Sequence, residues 1–318
     1  METVMKLNTL KSSNGGKHKR WTRYGAAAAA VSVALALTAC STGTPTKASS
    51  ATPAASAKLN SLLPANIRKA GTITIGSELD FPPFEYMKGS TLVGFDVDVA
   101  DDLGKKLGVK MSFVNANFDG LVVGVQAGRY DVAMSALADT PDREQIVNFV
   151  NYGIASAGLL VQPGNPLKIR TLADMCGHSV AVQAGSVPAV PTTEAQSAKC
   201  VAAGKPAINI QTLQSGSDIY LALESKRVDI GFAGGPDAQY FLDQKPGSFD
   251  IVKTSIIDTG AFGIAVSKSN TKLSNALEAA MKAILADGSY AKIIDKWKLS
   301  TVAVTRTAIN NTPSVTNN

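Results

Sequence analysis

The chain has 318 residues, 45% of them apolar, with 31 basic and 25 acidic side chains, a formal charge of +6 and three cysteines. Six bases (Lys6, Lys11, Lys17, Lys19, Arg20, Arg23) and one acid (Glu2) precede residue 40, and removing that net +5 leaves about +1. This gives no support to nucleic-acid binding, which requires a basic stripe on the folded part, and no apolar run after residue 40 approaches the 18 residues of a membrane-spanning helix.

The first element is a leader. Lys17, Lys19, Arg20 and Arg23 flank an uncharged core, Ala26 to Ala36, of signal-peptide length and too short to span a bilayer comfortably. Leu37-Thr38-Ala39-Cys40 follows and reads as a lipobox, whose thiol takes a lipid and becomes the first residue of the mature chain. The sequence therefore predicts a signal peptide over 1–39, a palmitate-type anchor on Cys40, and an extracytoplasmic protein held to the cell membrane. Residues 40–61 are mostly Ser, Thr, Ala, Pro and Gly, too poor in large apolar groups to offset ordering entropy, and predict a disordered tether.

About 240 residues remain, enough for a substantial core. Strand-like and helix-like segments alternate from residue 72, which predicts an α/β fold with mostly parallel sheets. Thr72 to Gly76 is a strand, and apolar positions Val97, Ala100, Leu103 and Leu107 predict a helix with Asp96 as N-cap and Gly108 as C-cap. A strand over 110–114 follows, then a helix from Asp119 to Ala127, a strand over 130–135, and a short helix from Pro141 to Val147. Ser179 to Gln183 is a strand ending in the turn Ala184-Gly185-Ser186. Ser217 caps a helix to Ser225, Pro236 opens one to Gln244, Phe262 to Val266 is a strand, and helices cover 273–285 and 290–297. The tail from Thr307 is polar, although Val302 to Ile309 has the pattern of an edge strand. Gly128-Arg129-Tyr130-Asp131-Val132 and Lys226-Arg227-Val228-Asp229-Ile230 share one idiom, a basic turn, an aspartate and a buried strand, consistent with two similar halves or with chance.

With Cys40 assigned to the anchor, Cys176 and Cys200 are expected to pair in an exported protein, closing a loop of about 25 residues. No metal site is expected, since His178 is the only histidine outside the leader and two cysteines with one histidine are an incomplete set.

The segments GTITIGSELDFPPFEY, GFDVDVADDLGKKLG, FDGLVVGVQAGRYDVAMSALADTPDRE, VAVQAGS, LALESKRVDIGFA, FGIAV and DGSYAKIIDKW stand in the order and approximate spacing of a known family. The chain resembles the family-3 extracellular solute-binding proteins of polar amino-acid ABC importers over about residues 67–300. The resemblance implies a two-lobed periplasmic-binding-protein-like fold with two hinge strands: lobe 1 at 62–157 plus 262–304, lobe 2 at 158–261, and a mobile tail over 305–318. It also implies a monomer without a cofactor, closing on a small-molecule ligand and docking on a membrane permease.

By position, the resemblance places Arg143 on the ligand carboxylate, where a guanidinium fork matches both oxygens. It places Phe81 and Phe118 as rings around the ligand side chain, Glu78 against a cationic group, Ser135 as a hydroxyl or backbone contact, and Ser186 in a turn able to hold an anion. Three positions depart from the pattern. Gly234 stands where the family has the aspartate that takes the α-ammonium, Ala138 where it has a second hydroxyl, and Val187 where it has a threonine. Pro188 and Pro191 imply that the helix after Ser186 is delayed or broken. A desolvated ammonium is costly to leave unpaired; so either Glu78 or Asp237 takes over, or the ligand is an amino-acid derivative or organic acid without a free ammonium there.

Two other classes compete. Prephenate-type dehydratases use the same fold and need an acid or base in the cleft, for which Glu78 is the candidate. A sensing module would present its closed form to a receptor instead of a permease.

Overall fold

The computed structural model describes residues 54–255 and 257–310. The signal peptide and the Cys40 anchor lie outside the described residues. The end of the expected tether is helical instead, with α1 over Ala54–Asn60, and α2 (Ala65–Ala70) follows it. Leu59, Leu63 and Ile67 pack on the core and Asn60 Nδ2 donates to Leu107 O at 2.7 Å. Those three apolar residues provide the burial that the Ser/Thr/Pro-rich stretch before them lacks.

β1 (Thr72–Ser77) leads to a small antiparallel ribbon of β2 (Asp80–Phe81), β3 (Glu85–Lys88) and β4 (Thr91–Val93). In α3 (Phe95–Leu107), Phe95, Val99, Ala100, Leu103 and Leu107 are fully buried, and Gly108 ends the helix at φ 66°. Asp96 is not its cap. Gly94 holds that position because a Cβ there would lie 1.9 Å from Phe84 O, and Asp96 turns inward to accept from Tyr152 OH at 2.6 Å. β5 (Lys110–Asn115) runs parallel to β1. Asp119 likewise caps nothing, lying inside a 3₁₀ turn (Phe118–Gly120) before α4 (Leu121–Gln126). β6 is only Val132–Ala133, and α5 (Pro141–Glu144) is capped by Thr140.

β7 (Val147–Val161) is one 15-residue strand. Then come β8 (Ser179–Gln183), α6 (Ala189–Ala202), β9 (Asn209–Leu213), α7 (Gly216–Glu224), β10 (Ile230–Gly234) and α8 (Gly235–Gln244). α6 is delayed by Val187 and Pro188 but not broken: Pro191 falls in its first turn, where its missing N–H has no helical partner to lose. Ser215, not Ser217, caps α7, accepting from Ser217 N at 3.1 Å. β11 (Asp250–Ile251), β12 (Ile257–Ser267), α9 (Thr271–Ala286) and α10 (Ser289–Trp297) complete the order.

The main sheet runs β5-β1-β6-β12-β7-β10-β8-β9, with β11 also on β7. β7 and β12 pair antiparallel along the length of β12 and are shared by both halves. Among the described residues four apolar clusters fill the interior. Two draw their buried members from residues 63–152 and 261–304, and two from 157–252, so no cluster spans both halves.

The repeated idiom has one geometry. Asp131 Oδ2 accepts from Thr74 N and Oγ1 at 2.8 and 2.7 Å, and Asp131 N donates to Thr74 Oγ1. Asp229 Oδ2 accepts from Ser179 N and Oγ at 2.9 and 2.8 Å, and Asp229 N donates to Ser179 Oγ. In each half the aspartate clamps the next strand onto the first, which accounts for its recurrence before Val132 and Ile230.

Cys176 and Cys200 form the expected disulfide. The tail is fastened through Asn310, not mobile from 305: Thr307 Oγ1 donates to Asn151 O at 2.6 Å, Asn310 Oδ1 accepts from Phe149 N, and Ile309 bridges to Val150.

Candidate ligand-binding cleft

In parallel sheets, ligands gather at the carboxyl ends of strands. Here the ends of β1 and β8 face each other, bringing Glu78 and Gln183 together, and Gln183 Nε2 donates to Glu78 Oε2 at 2.6 Å. Ser217 Oγ donates to Asp80 O at 2.9 Å, and the Tyr86 and Tyr240 rings lie 5.5 Å apart, so the halves also touch at these two places. Gly185, at φ +73°, is needed at this seam because a Cβ would lie 2.8 Å from Asp119 Cα.

Between them is a cavity of about 100 Å³. Phe81, Phe118 and Phe232 wall it, Arg143, Gln183, Ser186 and Asp237 bring polar groups to it, and Ala138 and Gly234 complete the lining. Six of the eight expected ligand residues are thus assembled: Phe81, Phe118, Ala138, Arg143, Ser186 and Gly234. Glu78 and Ser135 are not among the lining residues.

Arg143 bridges the halves, donating through Nη1 to Ala138 O at 2.9 Å and through Nη2 to Gly185 O at 2.8 Å. Its Cζ lies 6.0 Å from the Phe118 ring centroid. Burial lowers its pKa to about 10, so it remains a cation at neutral pH. Among the described residues no carboxylate pairs with it within 4.0 Å, neither Asp142 nor Glu144. A half-buried cation with carbonyl partners only is a ready receptor for an anion.

Glu78 is occupied otherwise. Burial pushes it up to about 7, opposed by hydrogen bonds from Gln183, Ser215 and the Gly216 backbone, all in the other half. It therefore spans the seam instead of facing the cavity. Ser135 is fully buried and donates to Glu85 Oε1, while its oxygen receives Glu78 N at 3.4 Å, so its hydroxyl proton points away from the cavity. Ser186 lines the cavity, but its N–H and hydroxyl both donate to Gln183 O, at 3.1 and 2.8 Å. Neither donor of Ser186 is therefore free to meet an anion in this arrangement.

Sequence reasoning missed the layer behind the site. Glu85, Asp96 and Tyr152 are fully buried together, and the two carboxyls are near enough to interact. Burial and the neighbouring Asp96 push Glu85 well up, and burial raises Asp96 to about 6. Glu85 Oε2 and Asp96 Oδ1 are buried without a partner, which favours retention of a proton by this pair. Tyr152 OH and Asp96 together hold Ala136 N on the cavity wall, each at 3.2 Å.

These acids dictate a pH dependence. Glu78, Glu85, Asp96 and Asp237 all bind a proton more tightly when folded than in the unfolded chain, where carboxyls titrate near 4. Stability is then greatest below the unfolded value and falls as pH rises through about 6 to 7. The lowered acids Asp174, Asp229 and Asp287 act oppositely, but their contribution is complete by about pH 5. The melting midpoint of ligand-stripped protein is expected to fall from pH 5 to pH 8; a midpoint rising over that interval contradicts this assignment.

The family profile of bacterial extracellular solute-binding proteins, family 3, matches residues 73–300. The chain belongs to this family. A probable histidine-binding protein of Campylobacter jejuni is 29% identical over 72% of this chain and 85% of its own length. The arginine-binding protein 1 of an ABC transporter of Escherichia coli is 28% identical over 72% and 91%. Among solved structures, an ancestral arginine-binding protein bound to arginine superposes with a TM-score of 0.65 at 32% identity, covering 71% of this chain and 98% of that one. An ancestral amino-acid-binding protein described as a precursor of cyclohexadienyl dehydratase gives 0.62 at 30% identity, covering 73% and 97%. The architecture is accordingly that of the two-lobed periplasmic binding proteins, with β7 and β12 crossing between lobes.

Proposed function

We propose that the protein is the lipid-anchored, extracytoplasmic substrate-binding component of an ABC importer and that it captures a free α-amino acid by hinge closure. The observation that carries this reading is Arg143, a desolvated cation in the cleft, held by a carbonyl from each lobe and paired with no protein carboxylate among the described residues. A ligand carboxylate supplies the missing anion, and it does so best when the lobes are closed. Phe81 and Phe118 flank the ligand's side chain, with Ala138, Ser186 and Gly234 contributing surface. Glu78 and Ser135 act one step back, Glu78 as a closure contact through Gln183. The lobes divide at 62–157 plus 262–304 against 158–261, a reading supported by the separation of the apolar clusters.

Binding without catalysis is supported by the state of Glu78, the residue a dehydratase reading would use: its carboxylate is hydrogen-bonded across the seam and is not among the residues lining the cavity. Uptake of labelled amino acids by cells with and without this protein separates transport from sensing: loss of uptake supports import, and unaltered uptake with lost signalling supports the sensor.

The anchor is tested separately. Cys40→Ala is expected to leave the domain folded and release it from membrane to medium, since each buried CH₂ contributes about 0.8 kcal/mol and two or more chains hold stably. A variant still membrane-bound after a salt wash contradicts the lipid reading.

A further inference from the structure

We propose that Asp237, on the first turn of α8, is the acceptor for the ligand's ammonium group, standing in for a carboxylate at position 234. This rests on the amino-acid reading of the cleft. Gly234 ends β10, where the family pattern asks for an acid, and a Cβ built there would lie 2.2 Å from Asp237 Oδ1. The Asp237 carboxylate therefore fills the volume that a side chain at 234 would enter, reaching it from three residues downstream. Asp237 is 3% exposed and lines the cavity. Oδ2 receives Tyr220 OH, which fixes the group, whereas Oδ1 is buried and, although the Gly234, Asp237 and Ala238 N–H groups lie near the carboxylate, none of them meets hydrogen-bond geometry at it.

A buried carboxylate oxygen with no partner is costly, and the cost points to a donor that arrives with the ligand. The third position of a ten-residue helix and the backbone N–H groups of Gly234, Asp237 and Ala238 favour the ionised form. Burial opposes them and pushes the carboxyl up to about 7, so a cation at Oδ1 would restore its charge at neutral pH. Arg143 and Asp237 line one cavity, yet no ion pair joins them within 4.0 Å among the described residues. A guanidinium and a carboxyl that line one small space without pairing match the two ends of a zwitterion placed between them. The substitution of Gly234 thus moves the acid from strand end to helix start and keeps the site selective for free α-amino acids.

The test is calorimetric titration of wild type, Asp237→Asn, and the double variant Gly234→Asp/Asp237→Ala. Each is titrated with the twenty L-α-amino acids and with the des-amino counterpart of whichever binds wild type best. Asp237→Asn keeps the shape and the Tyr220 contact, so folding, checked by melting, is expected to hold. The expected result is a loss on the order of 10- to 150-fold for the α-amino acid, little change for the des-amino acid, and recovery of most of the loss in the double variant. Equal affinity of wild type and Asp237→Asn for the α-amino acid overturns the proposal. So does an equal loss for both ligands, which would reduce Asp237 to a packing contact between α7 and α8. If wild type binds no amino acid at all, the reading of the cleft falls as well, an outcome distinct from either.

Discussion

Arg143→Ala is expected to weaken amino-acid binding by about 2 to 5 kcal/mol, enough to erase a micromolar complex at ordinary concentrations. Most of that loss is the penalty of stranding a desolvated ligand carboxylate, not the removal of an attraction that water would screen. The fold is expected to survive, because the side chain bonds only to Ala138 O and Gly185 O and belongs to none of the apolar clusters. Arg143→Lys tests geometry against charge: it keeps the cation but loses the fork, so it is expected to recover only part of the affinity. Titration calorimetry with melting curves on the same samples separates binding from folding. Unaltered affinity in Arg143→Ala would remove the carboxylate site.

Breaking the disulfide is expected to cost stability without removing binding. Cys176 and Cys200 are 24 residues apart and close a loop for which the chain-entropy account gives about 3 kcal/mol. For a folded part of this size that corresponds to a fall of about 6 to 12 °C in melting midpoint. Cys200 is also buried in the second-lobe cluster, so Cys176→Ala with Cys200→Ala adds a small packing loss. The bond lies at the far end of α6 from the cleft: Ala189 lines the cavity, and Cys200 comes eleven residues later, about 16 Å along the helix. The double variant is therefore expected to bind at 20 °C as wild type does. A reductant should reproduce its melting shift in wild type and leave the variant unmoved; a variant with an unchanged midpoint contradicts the stabilising role.

The fold was legible where one pattern acts alone. β1, β5, β8, α8, α9 and α10 follow from β-branched runs, apolar spacing and punctuation by Gly and Pro, and the recurrent aspartate was visible before its clamp on Thr74 and Ser179 was known. Caps were misplaced at Asp119, which falls inside a 3₁₀ turn, and at Asp96 and Ser217 for tertiary reasons. Gly94 is forced by the Phe84 carbonyl, Asp96 is recruited by Tyr152, and Ser217 is turned toward Asp80. The length of β7 was hidden because a strand shared by two lobes changes its surroundings midway and keeps no single pattern. Residues 54–60 were read as tether because composition outweighed the apolar residues at 59, 63 and 67 that anchor them.

For the site, the lining positions were legible through the order of the family segments, but the allocation of hydrogen bonds was not. Gln183 is an unremarkable strand-end residue in the sequence, and only the approach of two strand ends shows that it takes up Glu78. Asp237 was one of two acids in view for Gly234's missing role, and the overlap of its oxygen with the absent Cβ is what sets it ahead. Nothing in the sequence joins Glu85 to Asp96, eleven residues apart, since their meeting depends on the β3–β4 hairpin returning the start of α3 to Phe84, where Asp96 N donates to Phe84 O at 2.9 Å.

Occupancy of this cleft by a free amino acid can be read directly as mass. Native mass spectrometry of the purified domain tests it most directly, first as isolated and then after incubation with the twenty L-α-amino acids. The account predicts one amino acid per chain in wild type, released on collisional activation and absent from Arg143→Ala. Wild type that stays bare through the incubation would contradict it.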